Sequence, residues 1–143
     1  MSLHIVKLCV GCHSIEELKA WIDFSLQDKR SRGEKAEQIH TTRMVPKRIN
    51  ELLDNGSLYW VIKGNIQCRQ KFLDIRTFTD NEGVGRCQFI LEPIITPTQW
   101  QPRRAFQGWR YLKNNEAPLD ETSQGKMDLP SDLRQELANL GLL

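Results

Sequence analysis

The chain has 143 residues, of which 39% are hydrophobic and 27% charged, and its formal net charge is +2. This length predicts one domain with a sizeable core, and no apolar run approaches the roughly 20 residues of a membrane-spanning helix. The first residues lack a basic segment followed by a long apolar one, so we expect no signal peptide, no membrane partner and a cytoplasmic location. Four cysteines without an export signal are typical of reduced thiols.

The N-terminal part predicts a strand followed by an amphipathic helix. Residues 3–10 are mostly apolar, and Ser14 with Glu17 forms a capping box for a helix that runs to about Arg30. Apolar residues at helical spacing would form its inward stripe: Ile15, Leu18, Trp21, Ile22 and Leu26. A second strand over 37–43 and a short helix over 47–54 would lead into the next segment, and three residues of this helix would point inward: Ile49, Leu52 and Leu53.

A long β-hairpin over residues 56–76 is the predicted centre of the fold. Apolar side chains alternate along its first strand: one face would carry Leu58, Trp60 and Ile62, and the other Tyr59, Val61 and Lys63. Gly64 and Asn65 predict a two-residue turn of type II′ or I′. The apolar phase changes along the second strand, which predicts a bulge near residues 70–72.

The remaining chain predicts further strands and then a polar tail. Residues 84–91 predict a third long strand, ended by Pro93 and Pro97. The stretch 98–113 would begin as a loop and end as a strand at 108–112. The acidic residues beyond 113 predict a linker, then an amphipathic helix over 131–140 that docks or stays free.

These elements predict a single α+β domain over residues 1–113, followed by a linker and helix over 114–143. Helices dominate before residue 56 and strands after it. Long, bent strands are typical of small barrels. We therefore expect a small mixed, mostly antiparallel β-barrel flanked by helices.

Charge and aromatic residues are unevenly distributed. Residues 43–113 hold 12 Lys/Arg against 6 Asp/Glu, and they contain 9 of the 11 aromatic residues. Basic charge among aromatic rings suits a polyanion with stackable bases, and it equally suits an ordinary β core with a solvated outer face. If the basic residues converge on one groove, the ligand-binding residues would be Arg43, Lys47, Arg48, Tyr59, Arg69, Lys71, Arg103, Arg104, Trp109 and Arg110.

Catalytic signals are weak by comparison. The chain contains no Gly-x-Ser-x-Gly, no phosphate-binding loop and no His-Glu-x-x-His. His40 is a candidate general base, although a lone histidine in a strand is more often structural. Asp74 is a candidate acid, although an ion pair with Arg69 or Arg76 is the simpler interpretation. A binding protein is therefore favoured over an enzyme.

The cysteines allow several interpretations. Cys9, Cys12 and His13 match the Cys-x-x-Cys-His spelling of covalent haem attachment, and the same pair before a helix N-terminus could be a redox dithiol. A zinc site would need Cys9 and Cys12 with Cys68 and Cys87, which lack the second close pair of zinc ribbons. Buried free cysteines are the favoured interpretation, so we expect no metal and no cofactor.

Several short motifs together resemble a known family. They are Leu8–Gly11, Thr42–Met44 with Pro46–Arg48, Gly56–Gly64, Arg69–Gln70 with Leu73–Arg76, and Phe106–Leu112. This run resembles an uncharacterised family of small alphaproteobacterial proteins, known as a domain of unknown function, and the resemblance spans residues 3–113 without the acidic tail. It implies no activity.

The order of short helix, Gly-x-Leu-Tyr-Trp strand and curved hairpins is also similar to PUA-like barrels of the ASCH and EVE types, which commonly bind RNA or modified bases. The leading hypothesis is thus a protein that binds RNA or another polyanion through a basic and aromatic groove. The alternatives are an enzyme acting on a nucleotide-like or phosphorylated small molecule, and a protein-interaction module.

Overall fold

Two helices and seven strands make up most of the chain in the computed structural model, which describes residues 2–121, 133, 135, 136, 139 and 140. In chain order these are β1 (Leu3–Leu8), α1 (Ile15–Ser31), β2 (Gln38–Thr42), α2 (Ile49–Leu53), β3 (Ser57–Ile62), β4 (Asn65–Thr79), β5 (Gly85–Leu91), β6 (Thr96–Pro102) and β7 (Trp109–Lys113), followed by a 3-10 turn (Asn114–Glu116). The helix predicted over 131–140 lies largely outside the described residues. Among these residues, no helix has the length and apolar character needed to span a membrane.

The strands form one mixed sheet in the order β2-β5-β4-β3-β1-β7, with β6 paired to β4 beside this path. Only the β1·β3 ladder is parallel, so the predicted α+β class with a mixed, mostly antiparallel sheet is confirmed. The predicted closed barrel is wrong, because no ladder between described residues joins the edge strands β2 and β7. Helix α1 instead packs into the concave side of the sheet, with Leu18, Ile22 and Leu26 in the main core.

The sheet is nevertheless strongly curled. Three strand spacings separate β2 from β3, which would place them about 14 Å apart in a flat sheet. The ring centroids of His40 in β2 and Trp60 in β3 are only 5.2 Å apart. The curl therefore brings β2 across the concave side towards β3 without forming the hydrogen bonds that would close a barrel.

Strand β4 produces much of this curl. It is 15 residues long and pairs with β3, β5 and β6 along its length. Its register shifts at Leu73 against β5 and at Gln67 against β3, and each of these shifts leaves one residue of β4 without a cross-strand partner. Against β6, the shift at Gln67 also leaves residues 98–100 unpaired with β4. Such bulges bend a strand and increase its twist. The bulge predicted near residues 70–72 thus lies one residue later, and a second one precedes it.

The central hairpin follows its predicted pattern apart from the turn. Lys63 and Gly64 have φ values of +46° and +83°, as a type I′ turn requires, and Asn65 already pairs with Ile62. The turn is therefore one residue earlier than expected. Both faces of β3 are buried: Leu58, Trp60 and Ile62 join the main core, while Tyr59 and Val61 join a smaller cluster on the convex side.

Strand β6 is the element that the sequence pattern missed. The sequence predicts a strand break at Pro97 and a loop from residue 98. Both Pro97 and Pro102 are nevertheless tolerated within β6, because β6 lies at an edge of the sheet. Residues 119–121 then pack beside it, with the Gln99 amide donating to the Leu119 carbonyl at 2.8 Å. The described part of the presumed linker thus lies against the domain, while the predicted boundary at 113 stays untested.

Two helical positions differ from the expected inward pattern. Trp21 is 58% exposed, whereas Leu18, Ile22 and Leu26 are buried as predicted. Helix α2 is shorter than expected, and its Leu53 points outward while Leu52 is fully buried. The apolar spacing of α1 predicts a buried face wide enough to include Trp21. The observed buried face is narrower, because the curled sheet covers only one side of the helix.

Gly56 is a position where a side chain cannot fit. A Cβ atom there would collide with the backbone carbonyl oxygens of Leu52 and Leu3, which cannot move without disrupting α2 or β1. We expect Gly56→Ala to lower the free energy of unfolding by about 3 kcal/mol, measured by urea denaturation. Gly85→Ala is the control, since its added Cβ meets open space. Equal effects of the two substitutions would contradict this packing.

Candidate functional site

The predicted phosphate-binding cations do not share one groove. Arg69 pairs with Thr96 at the start of β6, whereas Arg103 follows its end, so about 20 Å of strand separates them. Arg43, Lys47 and Arg48 lie in the segment before α2, which contacts β7. There the Tyr111 hydroxyl accepts hydrogen bonds from the amides of Lys47 and Arg48 at 2.9 and 3.2 Å.

Two of these cations pair with carboxylates of the same chain. The Arg48 side chain binds the carboxylate of Glu51, at 2.7 Å for one of its two contacts, and lies over the Tyr111 ring. Arg69 makes a bidentate pair with Asp120, at 2.8 Å for both contacts, and donates to the Ser57 hydroxyl. Arg69 thus holds the chain after β7 against the sheet, which is a structural task. Lys71 is exposed on the same face of β4.

The two aromatic rings expected to stack a base are buried. Tyr59 is 5% exposed and packs edge-on against His4. Trp109 is 4% exposed, and its indole Nε1 donates to the Met44 carbonyl at 2.8 Å. In this structure neither ring offers a face to a ligand.

A partly exposed ring, Phe106, lies among the remaining basic residues. The guanidinium carbons of Arg103 and Arg110 both lie 5.3 Å from its ring centroid. The Arg103 amide donates to the Gly64 carbonyl at 2.9 Å, so this loop contacts the tip of the central hairpin. Arg103, Arg104, Phe106 and Arg110 together form what we call the arginine patch.

Asp74 forms the ion pair that its neighbours suggested. Its carboxylate lies 3.1 Å from the Arg76 guanidinium, which also binds Glu37 at 3.0 Å. All three side chains are at the surface, where ion pairs of this kind contribute little to stability.

The other candidate acid–base residue, His40, lines a cleft of about 500 Å³. The cleft lies in the gap between β2 and the strands β1 and β3, and the start of α1 forms its remaining wall. We call it the seam cleft, because β2 faces β1 and β3 across it without pairing with either strand. The side chains that matter most for its chemistry are Lys7, Cys9, Cys12, Trp21, His40 and Trp60.

His40 is held as a neutral imidazole inside the seam cleft. Burial, aided by the nearby Lys7 ammonium, lowers the pKa of His40 to about 4. Its Nε2 atom is buried and has no hydrogen-bond partner among the described residues. A buried polar atom of this kind typically costs about 1–3 kcal/mol unless a ligand or water satisfies it.

Lys7 provides positive charge in the same place. It stands in β1, and burial is the main cause of a pKa below the usual range for lysine. A lysine with a lowered pKa has lost hydration, so an anionic group entering the cleft would restore favourable interactions.

A buried glutamine network holds the wall of the cleft in place. The indole Nε1 of Trp60 donates to the Gln70 side-chain oxygen at 2.9 Å, and the Gln70 amide donates to Gln38 at 2.6 Å. The same amide group also contacts the Glu92 carbonyl. These bonds fix the orientation of Trp60 while the polar atoms behind it remain satisfied.

The four cysteines divide into two pairs. Cys68 and Cys87 are fully buried in the main core, whereas Cys9 and Cys12 are partly exposed and line the cleft. A hydrogen bond from the Cys9 thiol lowers the pKa of Cys12 to about 7. The described residues contain no group of three or more side chains placed to hold a metal ion.

The family of the chain follows from comparison with known proteins. A family model described as "Protein of unknown function (DUF1489)" matches residues 5–143. The chain belongs to this family. The resemblance to a domain of unknown function is thereby confirmed, but the match includes the acidic tail, which we had expected to lie outside it. No curated protein and no solved structure matches the chain. The alphaproteobacterial origin of the family stays a prediction.

The residues that sequence reasoning missed are Lys7 and Trp21. Lys7 was passed over as part of an apolar strand, although a lone charge within such a strand is itself a signal of an unusual environment. Trp21 was assigned to the helix core because it fits the apolar spacing. Neither could be placed beside His40 without knowing how the sheet curls.

The low pKa of His40 makes a prediction about stability and pH. In the unfolded chain His40 has its ordinary pKa of about 6.5, whereas in the folded protein its pKa is about 4. Acid therefore protonates the unfolded chain first, and the stability present above pH 6.5 is lost as the pH falls towards 4. Between pH 7 and pH 4 we expect wild type to lose on the order of 2–3 kcal/mol more than His40→Gln, measured by urea denaturation.

Burial also lowers the pKa of His4, but His4 is present in wild type and in His40→Gln alike. Its contribution therefore cancels when the stabilities of the two proteins are subtracted. Parallel pH dependence in wild type and His40→Gln would show that His40 is not buried as described.

Proposed function

We propose that the protein binds a small, nucleotide-like molecule in the seam cleft. The observation that carries this proposal is the buried Nε2 of His40, which has no hydrogen-bond partner in the described part of the chain and lies in a cleft of about 500 Å³. That volume is within the usual range for small-molecule sites, which combine apolar walls with a few placed polar groups. This observation separates two of the hypotheses drawn from the sequence. A pocket that contains His40 favours a small ligand, whereas an open basic groove would favour RNA.

The side chains of the cleft indicate the ligand chemistry. Trp21, which is 58% exposed, supplies aromatic surface suited to a flat ring such as a nucleobase, and the buried Trp60 forms part of the wall behind it. Neutral His40 can exchange one hydrogen bond with a polar edge of that ring. Lys7 supplies the charge that a phosphate or carboxylate requires. A ring with one anionic group therefore matches Trp21, His40 and Lys7 together.

The first test compares two exposed aromatic residues of α1. AMP, GMP, CMP and UMP would each be titrated into the protein while tryptophan fluorescence is recorded. We expect saturable binding of at least one of them, and about tenfold weaker binding to Trp21→Ala, because a stacked base loses its platform. Phe24→Ala is the matched control, since Phe24 is 70% exposed on the same helix but does not line the cleft.

The proposal fails if none of the four nucleotides binds wild type, or if Trp21→Ala and Phe24→Ala weaken binding equally. Lys7→Met separates the anionic contribution, because it should weaken the monophosphates more than the corresponding nucleosides.

A second candidate function is polyanion binding at the arginine patch. It is favoured by the two guanidinium groups that flank Phe106, an arrangement that suits a phosphate backbone beside a stacked base. The PUA-like character suggested by the sequence stays a prediction, and it would support the same candidate. The protein-interaction hypothesis rests on the apolar stripe of the C-terminal helix, which lies largely outside the described residues, and it stays a prediction.

Salt-dependent RNA binding tests this second candidate. Fluorescence anisotropy with a labelled oligouridylate should show binding at low salt that weakens steeply as salt is added. Arg103→Ala/Arg104→Ala should weaken it roughly tenfold, because two phosphate contacts are lost. Arg30→Ala/Lys35→Ala removes the same charge elsewhere and should have little effect. Equal losses in both double variants would indicate only diffuse electrostatic attraction.

A further inference from the structure

Two thiols lie close together in the turn between β1 and α1. The Cys9 amide donates to the Val61 carbonyl at 2.9 Å, and the Cys12 thiol donates to the Ser14 carbonyl at 3.1 Å. Gly11 between them has a φ of +78°, which glycine adopts without strain and which helps turn the chain back. Both cysteines line the seam cleft, so a small molecule that reaches His40 also reaches them.

The two thiols are chemically unequal. The hydrogen bond from Cys9 stabilises the Cys12 thiolate and lowers the pKa of Cys12 to about 7. The same bond, together with burial, raises the pKa of Cys9. Near pH 7 about half of the Cys12 side chains are therefore thiolate, while Cys9 beside them stays protonated, the arrangement needed for an attacking and a resolving cysteine.

We propose that Cys9 and Cys12 form a thiol–disulfide exchange pair that alternates between a dithiol and an intramolecular disulfide. The oxidant is a low-molecular-weight disulfide that enters the seam cleft. This activity goes beyond nucleotide-like binding and does not depend on it, because the cysteines react with the disulfide whether or not the cleft has another ligand.

The exchange occurs in two balanced steps. The Cys12 thiolate attacks one sulfur of the external disulfide, whose sulfur–sulfur bond breaks and releases one small thiolate. That thiolate takes the proton of Cys9, and the Cys9 sulfur then attacks Cys12 in the mixed disulfide. The second small thiolate leaves. Two electrons have passed from the protein to the external disulfide, which is reduced to two small sulfur species.

Neighbouring groups support this division of roles. Lys7 is close enough to Cys9 for its positive charge to favour the Cys9 thiolate that forms in the second step. Cys68 lies behind the pair, but it is fully buried and burial raises its pKa, so it stays protonated and unreactive. Cys68 is therefore a built-in control for a nonspecific thiol.

Mass spectrometry of the full chain tests the proposal. The protein would be equilibrated with glutathione and glutathione disulfide at varying ratios, trapped with N-ethylmaleimide and mapped by peptide analysis. We expect an intramolecular Cys9–Cys12 disulfide to replace two labelled thiols as the buffer becomes more oxidising, while Cys68 and Cys87 remain reduced. Cys68→Ala should give the same result.

Three outcomes would overturn the proposal: Cys9 and Cys12 stay reduced in glutathione disulfide, Cys12 stops at a stable glutathione adduct, or Cys9 pairs with Cys68. A rate measurement separates the roles of the two thiols. Cys9→Ala removes the hydrogen bond to Cys12, so iodoacetamide should modify Cys12 roughly tenfold more slowly at neutral pH, with the midpoint of the rate–pH profile raised. An unchanged rate and profile would contradict the assignment of Cys12 as the activated thiol.

Discussion

The bending of β4 is the constraint on which the rest of the structure depends. This strand pairs with β3 and β6 through its first half and with β5 through its second, and each half contains a register shift. Bulges add twist to a strand that is already coiled, so the strands beyond it turn over the concave side. Helix α1 packs into that side and contributes three buried residues to the core. The sheet therefore curls strongly but stays open between β2 and β7.

The open seam explains why chemistry concentrates at one place. Strand β2 faces β1 and β3 without pairing with them, and the space between leaves room for the side chains of Lys7, His40 and Trp60. On one side the polar atoms are satisfied, because Gln70 bonds both to Gln38 and to Trp60. On the other side His40 Nε2 has no partner among the described residues. In the proposed binding mode, the ligand satisfies this atom.

The sequence predicted the elements better than their arrangement. The capping box at Ser14, the alternation along β3 and the strand β7 were all readable, since each depends on local chemistry. The edge strand β6 was missed because prolines are usually breakers, and their tolerance at an edge depends on which strand lies beside them. The candidate site was predictable only in part. His40 was a candidate from its residue type, but its position beside Lys7 and Trp21 depends on the curl of the sheet. The arginines expected to line one groove lie apart, because strand register and not charge sets their positions.

A crystallographic fragment screen tests the central claim most directly, which is that the open seam forms a ligand site around His40. Crystals of the full chain would be soaked with nucleobase-sized fragments, half of which carry a carboxylate or phosphate. The account predicts ring-bearing fragments in the seam cleft, with a polar atom within hydrogen-bond distance of His40 Nε2 and the anionic group towards Lys7. A structure in which β2 packs directly against β1 and β3 and leaves no cleft, or fragments that bind only elsewhere, would contradict it.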